Sequence, residues 1–125
     1  MKGYVDLGVW NKAMDLAADV YALCANLPRS EQYGMISQLQ RAAASIPANI
    51  AEGYQRGTRK DYARFVGIAR GSLAEVETFL LLAVRVGHVE RESAEPCLSS
   101  AAQVGRMLTT LKQKLDQPGP QTPNP

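Results

Sequence analysis

The sequence predicts an all-α protein, an antiparallel up-and-down four-helix bundle, and three features of its 125 residues lead there. Apolar residues recur at three-and-four spacing through four separate segments, and no stretch alternates strictly as a half-buried strand would. Pro28, Gly57 and Gly87 fall between the segments and act as breakers. A helix of about 20 residues spans roughly 30 Å, so four helices with short connections account for one domain over residues 1–116. Residues 117–125 form a Pro-rich tail, QPGPQTPNP, that is expected to be disordered or polyproline-like.

The first helix is expected from Leu7 to Leu27, with Trp10, Ala13, Met14, Ala17, Val20, Tyr21, Cys24 and Leu27 on one face. Pro28 ends it. The second should begin between Gln32 and Gly34 and run to Arg56, with Ile36, Leu39, Ala43, Ile46, Ile50 and Tyr54 as its stripe and Gly57 as its C-terminal cap. Pro47 removes a backbone donor within it, at about 3 kcal/mol in an isolated helix. Because the stripe keeps its phase across Pro47, a kink is expected rather than a break.

The run Thr58-Arg59-Lys60-Asp61 has the form of a capping box and opens the third helix, Arg59 to Val86, which Gly87 stops. One face carries Tyr62, Phe65, Val66, Ala69, Leu73, Val76, Leu80, Ala83 and Val84. A second stripe of Ile68, Phe79, Leu82 and Val86 exceeds what one bundle helix needs to bury, so self-association is expected. The fourth helix has a heptad pattern of Ala94, Cys97, Ala101, Val104, Leu108, Leu111 and Leu115. Ser93 at or near its N-cap accommodates Pro96, and Lys112 and Lys114 in the last turn favour its dipole.

Several function classes are excluded by what the chain lacks. The longest apolar run, Phe79 to Val84, is far short of the roughly 20 residues of a membrane span. The N-terminus MKGYVDLGVW has no signal-peptide core, so a cytoplasmic location is expected and Cys24 and Cys97 read as small buried hydrophobes. One histidine, His88, and two separated cysteines do not make a zinc site, and the Glu-x-x-His motif of di-iron bundles is absent. There is no glycine-rich phosphate loop and no nucleophile elbow, and Gly71-Ser72 reads as a close-packing point. Neither an enzyme nor a bound metal or cofactor is expected.

Two polar constellations remain. Arg41, Ser45, Asn49, Glu52 and Arg56 follow each other at spacings of four, four, three and four along the second helix, with Arg70, Ser72, Glu75 and Glu77 as possible partners on the third. The row is either a solvated charged face or a partly buried network of Arg41, Ser45, Asn49, Glu52, Arg70 and Glu75 that fixes helix register or subunit contacts.

The other constellation is Arg56, Arg59, Lys60 and Arg64 around the Gly57 turn, with Tyr54 and Tyr62 nearby. Net charge is only +2, yet residues 41–70 carry six basic residues against two acidic ones. Cations at the start of a helix oppose its dipole, so folding alone does not call for them there. The cluster is either an ordinary solvated junction or a set of phosphate contacts to RNA or DNA.

The segments QLQRAAASIPANIAEGYQRG (Gln38 to Gly57) and FVGIARGSLAEVETFLLLA (Phe65 to Ala83) resemble the bacterial family of 23S rRNA intervening-sequence proteins. The resemblance extends over about residues 8 to 112. It rests on Gln38 and Leu39, on Ser-Ile-Pro-x-Asn-Ile-Ala-Glu-Gly at Ser45 to Gly53, and on Ala-Arg-Gly-Ser-Leu-x-Glu-x-Glu at Ala69 to Glu77. It implies an up-and-down bundle assembled as a ring, a homopentamer, akin to the nucleic-acid-binding accessory protein of diversity-generating retroelements. The leading expectation is a non-enzymatic oligomer that binds nucleic acid or a ribonucleoprotein through its basic junctions. The alternative is a protein-binding scaffold.

Overall fold

The computed structural model describes residues 3–118 of the chain. They form α1 over Gly8–Cys24, α2 over Met35–Arg56, α3 over Arg59–Arg85 and α4 over Arg91–Asp116, with short 3-10 turns at Tyr4–Asp6 and Arg29–Glu31. No strand occurs among the described residues. From residue 119 onward the expected tail lies outside them.

Helix α1 stops three residues before the expected Leu27. Ala25, Asn26 and Leu27 bond back to Ala22, Leu23 and Cys24, so the last turn tightens to i→i−3 bonds that tuck Leu27 into the core. Its buried face is also rotated from the predicted one. Val9, Ala13, Leu16, Val20, Leu23 and Cys24 are buried, whereas Met14 and Tyr21 are exposed. The helix carries two overlapping apolar stripes, and periodicity alone does not say which of them faces inward.

Helix α2 runs through Pro47 without a break, and Pro47 is itself buried. Gly57 closes the helix in the left-handed conformation, φ 86°, which glycine adopts without a Cβ penalty. Thr58 then caps α3 by accepting the Asp61 N–H at 3.1 Å. At the far end of α3, His88 N–H bonds Ala83 O and Gly87 N–H bonds Val84 O, the pair of bonds that defines a Schellman ending. Helix α4 begins at Arg91 with Glu90 as its N-cap, so Ser93 lies inside the helix and Pro96 in its second turn.

Helix α2 packs most extensively on α3, α3 continues onto α4, and α1 contacts both α2 and α4 around one core. Each helix supplies fully buried side chains, among them Leu16, Leu39, Ile46, Leu80, Val104 and Leu108. Burying each such Leu or Ile contributes about 1.5–3 kcal/mol. The α2–α3 contact is close, since a methyl group at Gly53 would lie 2.7 Å from Phe65 Cβ. One polar tie joins the loops. Glu31 Oε1 accepts the Met35 N–H at 3.1 Å, and its Oε2 lies 2.9 Å from His88 Nε2 in the α3–α4 turn.

Candidate nucleic-acid interface

The Gly57 turn brings the end of α2 and the start of α3 together, and the four basic residues differ in what holds them. Arg56 Nε donates to Glu52 Oε2 at 3.1 Å within one turn of α2. Its guanidinium carbon stands 5.1 Å from the centre of the Phe65 ring, while that of Arg64 stands 4.4 Å from the same ring. The buried Phe65 therefore contacts both cations, each contact contributing about 0.5–1 kcal/mol at an exposed site. Lys60 is exposed and has no ion pair or hydrogen bond among the described residues.

Arg59 corrects the expectation that folding does not call for cations here. Its Nη2 donates to the Lys114 and Gln117 carbonyls at the end of α4, where positive charge complements the helix dipole and satisfies otherwise open acceptors. The interaction lies across 55 residues of sequence, so local reading could not reveal it. Lys112 joins the same patch from α4, its Nζ 2.6 Å from Asp116 Oδ2. A shallow pocket there is lined by Arg59, Lys60, Arg64, Lys112 and Asp116. In the sequence Lys112 stands out only as a dipole partner in the last turn of its helix. Its one further signal was its place beside Leu111 on the flank of the heptad face.

The polar row on α2 divides in two. Ser45 Oγ and Ser72 Oγ are 2.8 Å apart, and Asn49 Nδ2 donates to both the carbonyl and the hydroxyl of Ser45 at 2.8 Å. Ser72 is buried, so this trio ties α2 to α3. The charged members do not join it. Glu52 pairs with Arg56 on the surface, with about half of each side chain exposed. Arg41, Arg70 and Glu75 are exposed and have no ion pair among the described residues. At about 100° per residue, Asn49 falls nearest the buried edge of the row and Arg41 and Glu52 farthest from it.

No group of three or more His, Cys, Asp and Glu able to hold a metal ion occurs among the described residues. Cys24 and Cys97 are buried free thiols. Burial, followed by the neighbouring Cys97, pushes the Cys24 thiol up to about 11, and burial also raises that of Cys97, so neither is a ready nucleophile. Tyr62 is raised by burial and by Tyr54, its edge-to-face partner at 5.9 Å. Among the described residues, no helix is long and apolar enough to cross a membrane.

Fold and site together define an all-helical chain of four helices with a cationic junction between α2 and α3. The chain belongs to the family described as 23S rRNA-intervening sequence protein, which it matches over residues 5–110. It is similar to a crystallised protein of unknown function from the S23 ribosomal protein family of Bacteroides thetaiotaomicron VPI-5482. The two are 26% identical with a TM-score of 0.75, over 84% of this chain and 98% of that one. No curated protein matches the chain.

Proposed function

We propose that this protein is a non-enzymatic, cytoplasmic, ring-forming oligomer that contacts the phosphates of RNA or of a ribonucleoprotein through its basic helix junctions. The observation that carries the reading is the junction itself. Arg56 and Arg64 stand over one Phe65 ring with exposed Lys60 nearby. Arg59 belongs to the α4 cap and is left out of the contact set. Phosphate binding needs cations held at a surface with no requirement for base edges, and this arrangement supplies them.

Close contacts between Gly53 and Phe65, between Ser45 and Ser72, and between Gly105 and Leu73 support the antiparallel up-and-down order. Oligomerisation is supported by Ile68, Leu81, Leu82 and Val86, large apolar side chains of α3 and its cap that stand 40–53% exposed. Resemblance to the family points to five copies. Those same side chains favour a second reading, a scaffold that recruits a protein partner.

Retention on immobilised heparin, and capture of the tagged full chain with and without nuclease, separate the two readings. The nucleic-acid reading expects retention beyond that of a control protein of equal net charge, together with co-captured RNA that nuclease removes. Weak retention with nuclease-resistant protein partners contradicts it and favours the scaffold.

A further inference from the structure

A further cationic groove lies along the seam between α3 and α4 and adjoins the helix junction. Arg70 from α3 and Arg106 from α4 line one groove of about 660 Å³. Neither guanidinium makes an ion pair or hydrogen bond among the described residues, and the hydroxyls of Thr109 and Thr110 in the same groove are likewise unbonded. Leu73 and Gly105 form its floor. They sit at one level, since a methyl group at Gly105 would lie 3.2 Å from Leu73 Cδ2.

The groove continues the junction patch. Gly67, about 9 Å from Leu73 along α3 at 1.5 Å per residue, meets Lys112, where an added methyl group would lie 3.5 Å from Lys112 Cε. Lys112 also lines the pocket that holds Lys60 and Arg64. Along the seam the order is therefore Lys60, Arg64, Lys112, Arg70, Arg106, with Lys60 and Arg70 about 15 Å apart along α3 at 1.5 Å per residue. Glu77, which lines the same groove seven residues beyond Arg70, ends this track with a negative charge.

We infer that the α3–α4 groove is a binding site for the phosphodiester backbone of single-stranded nucleic acid, with Arg70 and Arg106 as its phosphate contacts and Thr109 and Thr110 as supporting donors. The inference rests on the nucleic-acid reading of the junction and adds a site to it. A strand laid along the seam meets cations from two helices, and Arg suits phosphate because its planar fork presents paired donors. An acidic peptide would face Glu77 with a second carboxylate, whereas a nucleotide carries hydroxyl and amine donors that Glu77 accepts.

The test is fluorescence anisotropy of a labelled oligouridine against the full chain over a salt series, with the double variants R70Q/R106Q and R29Q/R85Q. The second pair removes the same charge from exposed arginines outside the groove. For R70Q/R106Q the slope of log affinity against log salt should fall by about 1.4, since each lost single-strand contact removes about 0.7. R29Q/R85Q should keep the wild-type slope, with helicity by circular dichroism unchanged in both. A wild-type slope for R70Q/R106Q, or an equal loss in R29Q/R85Q, overturns the groove while leaving the junction reading in place. No binding of oligouridine by the wild type overturns that reading as well. Binding of oligoglutamate in preference to oligouridine replaces nucleic acid with an acidic peptide.

Discussion

The Glu31 carboxylate accepts the first N–H of α2 through one oxygen and meets His88 through the other, so one side chain joins two ends of the molecule. The His88 hydrogen bond, then the Met35 N–H, hold its carboxyl below the usual glutamate range. A carboxyl depressed in the folded state stabilises above its unfolded value, and that stabilisation is lost as pH falls through the folded value. Stability should therefore decline as pH drops below the ordinary glutamate value of about 4.3. Glu31→Gln should flatten that limb in denaturant melts at neutral and acid pH. An unchanged acid limb in the variant would show that Glu31 does not carry it. In the sequence His88 is only a turn histidine, because partners 57 residues apart leave no local pattern. The same gap hid the bond from Arg59 to the end of α4, while Ser45 and Asn49 were legible as polar positions beside an apolar stripe.

Helices announce themselves more clearly than contacts do. The four elements, the Gly57 and Gly87 endings and the Thr58 cap follow from periodicity and from breakers, which act within a few residues of themselves. The inward face of α1 was legible at Ala13, Val20, Cys24 and Leu27 but not at Val9, Leu16 and Leu23, because Met14 and Tyr21 repeat with the same period as the stripe that is buried. Glycine placement gives the sharpest element-scale prediction. Gly53→Ala brings a methyl group to 2.7 Å from Phe65 Cβ, so α2 and α3 must separate. Overpacking of this kind costs about 1–3 kcal/mol, against a gain in helix propensity of about 1 kcal/mol. Gly71→Ala meets no atom within 4 Å, so only the propensity gain remains. Urea melts should show Gly53→Ala with a lower midpoint and Gly71→Ala with a higher one. A midpoint for Gly53→Ala at or above wild type would contradict the close α2–α3 packing.

At the scale of the whole molecule, two apolar faces stay uncovered on the single chain. Ile68, Leu82 and Val86 fall within about 40° of each other on α3 and its cap at 100° per residue. Trp10, Met14 and Tyr21 of α1 line a groove with Ala44, Pro47 and Ala48 of α2. Two different faces on one chain suit a head-to-tail contact, which closes into a ring when the rotation allows. Light scattering at micromolar concentration should give a mass several times 13.6 kDa, and a monomer mass would remove the ring. Repetition around a ring would multiply the cationic junction, whose charge is modest on one chain. The most direct measurement is a salt titration of RNA affinity for the wild type and for a variant with Arg56, Lys60 and Arg64 changed to Gln. Arg59 is kept because it caps α4. The wild type should bind single-stranded RNA at about 50 mM salt, and the variant should lose about 0.7 of slope per missing contact while keeping its helicity and oligomer mass. Equal slopes, or no binding by the wild type at that salt, would contradict the account.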